Sequence, residues 1–269
     1  MKFARKLAKQ LRWLPARYWF YVREAMQSKA VTRDPVDGQR YVFVADSLHA
    51  LQRGREVWVK EPQTVEWLRK TIRPDDVFLD IGANVGTFSI FAAKHLKEGG
   101  HVYACEPHLP TTVQLLQNIA ANGVGDRVSV VSIAASGKDG MFPFQYKRWR
   151  QGASGSQLQV DGGLQLKSPV GTELKLAMRI DSMVNRGLMR PPNIVKIDTD
   201  GLEIPIVEGM EGILKATSRP RSVLVEVQTG EMEAQRDQMR RFGYVLAGTH
   251  ALTQGANSPV NAIFEPETN

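Results

Sequence analysis

The chain has 269 residues, 42% hydrophobic and 23% charged, with a net charge of +7 and a single cysteine, Cys105. Disorder, collagen-like repeats and a disulfide-stapled scaffold are excluded, and the length accommodates one large α/β domain or two small ones. Residues 1–30 carry eight basic residues against Glu24 alone; the remainder of the chain is neutral overall, which argues against a nucleic-acid enzyme with a basic groove.

In that N-terminal extension Phe3, Leu7, Leu11 and Leu14 share one helical face, and Pro15 ends the pattern. The cluster Tyr18 to Val22 lies between Arg17 and Arg23, a mixture suited to the boundary between lipid headgroups and acyl chains. Peripheral membrane contact through residues 1–30 and a terminal helix packed on the main domain both fit. No apolar run approaches the roughly 18 residues of a membrane span, Cys105 belongs to no metal-ligand spacing, and there is no signal-peptide pattern, so a cytoplasmic protein is expected.

From residue 60 onward, strand and helix patterns alternate. A helix is expected over Thr64 to Ile72, then a strand at Val77 to Ile81 with apolar residues on both faces, as in the interior of a parallel sheet. A helix at Val85 to Leu96, a strand at His101 to Cys105, a helix at Thr111 to Ala121 and a strand at Arg127 to Ile133 follow. Residues 137–178 hold seven glycines and the cluster Lys147-Arg148-Trp149-Arg150, which predicts a long substrate loop or lid. The cluster suits a sugar ring or an anionic group, or is a solvated basic turn. The sheet resumes at Asn193 to Ile197, with a helix at Ile204 to Lys215, a strand at Ser222 to Val227 and a helix at Glu231 to Arg241. Tyr244 to Ala247 and Asn261 to Phe264 then form an antiparallel closing pair. The expected fold is a doubly wound, mostly parallel α/β sheet over residues 31–269.

The first strand of this series runs into Gly82-Ala83-Asn84-Val85-Gly86 and a helix, the layout of a nucleotide-binding turn. The turn reads DxGxNxG rather than the GxGxxG of a dinucleotide site. Asp80 would repel a pyrophosphate but suits the cationic end of S-adenosylmethionine. Glu106, 20 residues beyond Gly86 at the end of the next strand, is placed to accept hydrogen bonds from both ribose hydroxyls, with Pro107 turning the chain. Ala134 lies where an adenine ring would sit; a small residue at a strand end accounts for it equally well.

The sequence resembles the FkbM-type family of S-adenosylmethionine-dependent methyltransferases in VFLDIGANVGTFSI (Val77 to Ile90), VYACEP (Val102 to Pro107), RIDSMV (Arg179 to Val184), IVKIDTDGLEIPIVEGM (Ile194 to Met210) and LVEVQ (Leu224 to Gln228). The resemblance implies a Rossmann-like class I methyltransferase fold and O-methylation of a sugar hydroxyl on a glycan, glycolipid or natural product. It also implies that Asp80, Gly82, Asn84, Gly86 and Glu106 carry the cofactor, and that Lys196 to Glu203 border the substrate. Ala83 and Pro107 complete the cofactor set.

The segment Lys196 to Glu203 brings carboxylates to the same sheet edge. Asp198 is the first candidate to take the hydroxyl proton, with Asp200 and Glu226 behind it and Lys196 beside them; helix capping by Asp200 and Glu203 is the structural alternative. A divalent metal on Asp198, Asp200 and Glu226 is chemically feasible but not favoured. Asp200 stands where the family usually has glutamate, and Gln228 where many members have histidine. His108 reads as an exposed loop residue. A protein or nucleic-acid nitrogen as acceptor, and a noncatalytic cofactor-binding module, remain as alternatives.

Overall fold

The computed structural model describes residues 18, 28–45, 56–160, 165–251 and 258–267. The N-terminal extension therefore lies outside the described residues except for Tyr18 and 28–30, the last of which belong to the first strand. Strands β1 (Ser28–Arg33) and β2 (Arg40–Ala45) form an antiparallel hairpin. Helices α1 (Val57–Lys60) and α2 (Pro62–Thr71) follow. Next come β3 (Val77–Ile81), α3 (Thr87–His95), β4 (His101–Cys105), α4 (Leu109–Asn122) and β5 (Val128–Val131).

After an inserted sheet, the main fold continues with α5 (Ile180–Asn185), β10 (Ile194–Ile197), α6 (Glu203–Glu208), α7 (Glu211–Lys215) and β11 (Ser222–Val227). It closes with α8 (Met232–Arg241), β12 (Tyr244–Ala251) and β13 (Val260–Pro266). The seven-stranded sheet has the order β12-β13-β11-β10-β3-β4-β5, parallel from β11 to β5 and antiparallel at β13 and β12. The expected doubly wound sheet with an antiparallel closing pair is present. Strand order reverses between β3 and β10, and in such sheets the crevice beyond the carboxyl ends at that reversal is where ligands bind.

Side-chain alternation divides the sheet's two faces. Leu79, Ile81, Val195, Ile197, Val223 and Val225 pack beneath the α6–α8 side, while Phe78, Ile194 and Leu224 pack with α2, α3 and the hairpin. Asp80, Lys196 and Glu226 share the period of Phe78, Ile194 and Leu224, so they form a polar stripe on the α3 face of the three central strands. The hairpin is held over this half of the molecule by α4. Asn118 and Asn122 accept the Val44 and Val42 N–H groups, and Gln114 and Asn122 donate to the carbonyls of the same residues. These amides satisfy an edge strand that would otherwise be left open.

Two sequence expectations require correction. Residues 137–178 are not a loop: β6 (Ala134–Ala135), β7 (Gly140–Tyr146), β8 (Gln157–Leu158) and β9 (Gly171–Met178) build a second sheet of order β6-β9-β7-β8. The glycines obscured a strand alternation in which Phe142, Phe144 and Tyr146 face inward and Met141 and Pro143 face solvent. The strand expected at Arg127 to Ile133 accordingly ends at Val131, where the chain leaves the main sheet.

The helix expected over Ile204 to Lys215 is two helices. Gly209 lies so close to Ser136 that a Cβ would overlap its carbonyl oxygen, and the Asp181 carboxylate caps the second helix by accepting the Gly212 and Ile213 N–H groups. No helix among the described residues is long and apolar enough to cross a membrane.

Candidate active site

A cavity of about 380 Å³ opens beyond the carboxyl ends of β3, β4, β10 and β11. Its floor is the turn after β3. Gly82 (φ +78°) and Asn84 (φ +50°) adopt left-handed conformations there, and a Cβ on Gly82 would overlap the Asp198 carbonyl oxygen, so the turn fits only without a side chain. Gly82, Ala83 and Asn84 line the cavity, as do Glu106, Pro107 and Ala134.

Two cofactor candidates sit elsewhere. Gly86 is the N-cap of α3, and a Cβ there would overlap the Leu115 side chain, so it permits α3 and α4 to meet. Asp80 is fully buried behind the wall: it accepts a hydrogen bond from Ser89 (2.6 Å) and its other oxygen faces Lys196 at 4.0 Å. Burial pushes its carboxyl above the usual range, opposed by Lys196 and Ser89. Asp80 thus stands behind the cavity wall, bonded to Ser89 and facing Lys196.

Glu106 is held in place by two backbone donors: Asn84 N–H to Oε2 (2.9 Å) and His108 N–H to Oε1 (2.8 Å). Each carboxylate oxygen keeps a lone pair for a further donor, the requirement for gripping two ribose hydroxyls. Burial raises this carboxyl to about 7, against those two hydrogen bonds. A cavity of this size, with a backbone turn and a fixed carboxylate on its wall, fits S-adenosylmethionine.

His108 is not an exposed loop residue. It is 2% exposed, caps α4 by accepting from the Thr111 N–H, and donates from Nε2 to the Arg148 carbonyl (3.0 Å). Burial lowers its pKa, so the neutral ring is favoured.

The catalytic candidates gather on the opposite wall. Lys196 is 1% exposed; its ammonium lies 2.8 Å from Asp198 Oδ2 and 5.0 Å above the Phe88 ring. Burial would lower its pKa, but Asp198 and Asp80 outweigh that and hold it charged. Asp198 and Glu226 follow one another across the ends of β10 and β11, both on the cavity wall and hydrogen-bonded to each other. Burial and the neighbouring Asp198 push Glu226 far up. Burial works the same way on Asp198, but Lys196 overcomes it and keeps that carboxyl low. Glu226 therefore carries the pair's proton and Asp198 the negative charge.

Asp200 lines the cavity but has a different task. Its backbone is left-handed (φ +58°), its carboxylate accepts the Gly155 N–H (2.6 Å), and its carbonyl accepts from Gln157 (3.0 Å), tying the β7–β8 connection to the sheet edge. Glu203 accepts from the Thr199 and Gly201 N–H groups and shapes the turn before α6; the capping alternative is not met, since the N-cap of α6 is Leu202 with no side-chain cap hydrogen bond and Asp200 is bonded to Gly155 instead. Asp198, Asp200 and Glu226 do not converge as metal ligands: among the described residues no group of three or more His, Cys, Asp or Glu is arranged to hold a metal ion. Gln228 directly follows β11 and does not line the cavity.

Glu56, Lys60 and Glu61 line the cavity without having been anticipated. They are placed by the chain Asn261–Thr64–Glu61: Asn261, the cross-strand partner of Glu226, donates to Thr64 (3.0 Å), which donates to Glu61 (3.4 Å). Nothing in the local sequence announces a contact spanning 197 residues.

The profile of the family described as Methyltransferase FkbM domain matches residues 80–246. The hexuronic acid methyltransferase AglP of Haloferax volcanii is 26% identical over 196 residues, which cover 72% of this chain and 73% of that protein. Among solved structures, methyltransferase FkbM of Methylobacillus flagellatus KT is similar with a TM-score of 0.49 and 13% identity, covering 81% of this chain and 55% of the other. An rRNA methylase from Streptococcus thermophilus is similar with a TM-score of 0.48 and 10% identity, covering 77% and 95%.

Proposed function

The chain belongs to the FkbM methyltransferase family and is an S-adenosylmethionine-dependent methyltransferase; we propose that it methylates a hydroxyl of a sugar in a glycan or glycolipid, with Asp198 receiving the proton. One observation carries this reading. Asp198 is a carboxylate kept ionised on the cavity wall by Lys196 (2.8 Å), beside a Glu226 that already holds a proton. The Haloferax relative, named for a hexuronic acid, supports a sugar as acceptor.

The cofactor, when bound, supplies an electrophilic methyl group on a sulfonium. The protein's share is to hold its adenosine side through Glu106, the 82–84 turn and Ala134, and to present the acceptor oxygen in line. As that oxygen gains the methyl group, its proton passes to Asp198, whose charge meanwhile steadies the alcohol through a hydrogen bond. Lys196 fixes the carboxylate's orientation, and Glu226, already protonated, donates a hydrogen bond to Asp198 rather than competing for the substrate's proton. Asp200 contributes by anchoring the β7–β8 connection that closes the cavity.

Incubation of candidate glycan and glycolipid pools with enzyme and methyl-deuterated cofactor tests the reading by mass spectrometry. One labelled methyl group on a sugar oxygen is the expected product; label confined to nitrogen would replace it with the other acceptor class. We further propose that the basic segment of residues 1–30 contacts an anionic membrane surface, a reading supported by its eight basic residues and the aromatic cluster Tyr18 to Val22. Flotation of the full chain with anionic liposomes, compared with a chain lacking residues 1–27, checks that part; equal behaviour removes it.

A further inference from the structure

We propose that Trp149, together with Lys147, Arg148 and Arg150, is an outer acceptor subsite at the cavity rim, built to take an anionic sugar unit adjoining the one that is methylated. This rests on the sugar reading above and adds to it the length and charge of the acceptor. The geometry begins inside the cavity. Phe144 lines its wall, Tyr146 packs edge-on against Phe144 with centroids 5.1 Å apart, and Trp149 packs on Tyr146 at 4.7 Å. Three aromatic rings thus run from the cavity wall to the surface, where Trp149 is 64% exposed.

Trp149 touches the core through its edge contact with Tyr146, and most of the indole stands in water beside three cations, open to a ligand. The backbone beneath it is anchored. The Arg148 carbonyl accepts from His108, itself a cavity residue, and the Gly152 N–H donates to Thr111 (3.1 Å). Lys147 lies over Gly155, whose N–H holds Asp200. The backbone that carries these four exposed side chains is therefore anchored to residues next to the cavity wall. The edge-on contact with Tyr146, at an interplanar angle of 64°, leaves indole surface open to a sugar ring. The guanidinium forks of Arg148 and Arg150 match a carboxylate or other planar anion. Among the charged groups on the cavity wall, the carboxyls of Glu56, Glu61, Glu106, Asp198, Asp200 and Glu226 outnumber the ammonium groups of Lys60 and Lys196, so an anionic substituent is better accommodated at this rim than inside.

The test uses the full chain saturated with S-adenosylhomocysteine and three probes: methyl glucuronide, a glucuronate-containing tetrasaccharide and a neutral glucose tetrasaccharide. Calorimetry on wild type is expected to give at least tenfold tighter binding of the acidic tetrasaccharide than of either other probe. Trp149→Ala and the triple variant Lys147→Ser, Arg148→Ser, Arg150→Ser are each expected to abolish that gain, the triple variant also losing its salt dependence. Both should leave S-adenosylhomocysteine binding unchanged. Unaltered tetrasaccharide affinity in the variants overturns the subsite, and so does equal affinity of wild type for the acidic and neutral tetrasaccharides. If the acidic tetrasaccharide binds through Trp149 but no sugar is ever methylated, the subsite stands and the sugar-methylation reading fails.

Discussion

Lys196 and Asp80 are direct cross-strand partners on the parallel pair β10–β3, fully buried, with the ammonium 4.0 Å from Asp80 and 2.8 Å from Asp198. One cation thus neutralises a carboxylate behind the cofactor turn and orients another on the substrate wall. Removing one member of a buried ionic group leaves the others uncompensated, at a cost of about 3–5 kcal/mol. Lys196→Met is expected to lower thermal stability sharply and to abolish methyl transfer. Asp80→Asn, which keeps a hydrogen-bonding group for Ser89, should cost less in both. Calorimetric melting and initial rates of the two variants decide the order.

The shared proton of Asp198 and Glu226 separates their roles. Asp198→Asn removes the group that accepts the substrate proton and should reduce kcat by about 10²- to 10⁴-fold while S-adenosylhomocysteine binding persists. Glu226→Gln keeps a neutral donor toward Asp198 and should retain most of the rate. Glu226's carboxyl is raised in the fold, so its neutral form stabilises the protein at low pH and that contribution is lost as pH rises through its folded value, about 10. Wild-type stability should therefore decline toward pH 10, more than that of Glu226→Gln. Equal kcat losses in the two variants would contradict the assignment.

Asp200 is the second base candidate of the sequence reading, and its surroundings assign it to structure. Its left-handed backbone suits Asp or Asn, and its carboxylate oxygen accepts the Gly155 N–H. An amide oxygen can accept the same bond, so Asp200→Asn should stay within about threefold of wild-type kcat while Asp200→Ala, which releases the β7–β8 connection by removing this short hydrogen bond to a charged acceptor, raises acceptor KM roughly tenfold. A proton acceptor would show the opposite pattern, with Asn as damaging as Ala. Steady-state kinetics on the two variants distinguishes them.

These assignments show where sequence reasoning reached and where it stopped. The main sheet was legible because its strands are continuous apolar runs followed by amphipathic helices, and the turn at Gly82 was legible because only glycine fits there. Glu106, Lys196, Asp198 and Glu226 could be placed at one edge, since each ends a parallel strand. Asp80 could not be told from a cavity residue, because the strand's alternation does not reveal that Ser89 and Lys196 cover it. The four-stranded insertion was missed because glycines break its pattern. The α1–α2 wall depends on Asn261 meeting Thr64, a contact no local pattern encodes.

Glu106 yields a pH prediction of definite sign. Burial raises its carboxyl to about 7, and the ionised form is the one that accepts two ribose hydroxyls. Cofactor affinity should therefore be full above pH 8 and weaken as pH falls through 7, by about tenfold at pH 6, as expected for a site whose competent form must lose one proton. Burial lowers the pKa of His108 and favours its neutral ring, so His108 is not a source of a rise in affinity above pH 7. Glu226 titrates well above it. Glu106→Gln, which can still accept from Asn84 or His108 but is always neutral, should bind S-adenosylhomocysteine weakly with no dependence between pH 6 and 8. Calorimetric titration across that range, wild type against variant, checks both the slope and its source; a flat wild-type profile would remove Glu106 as the ribose ligand.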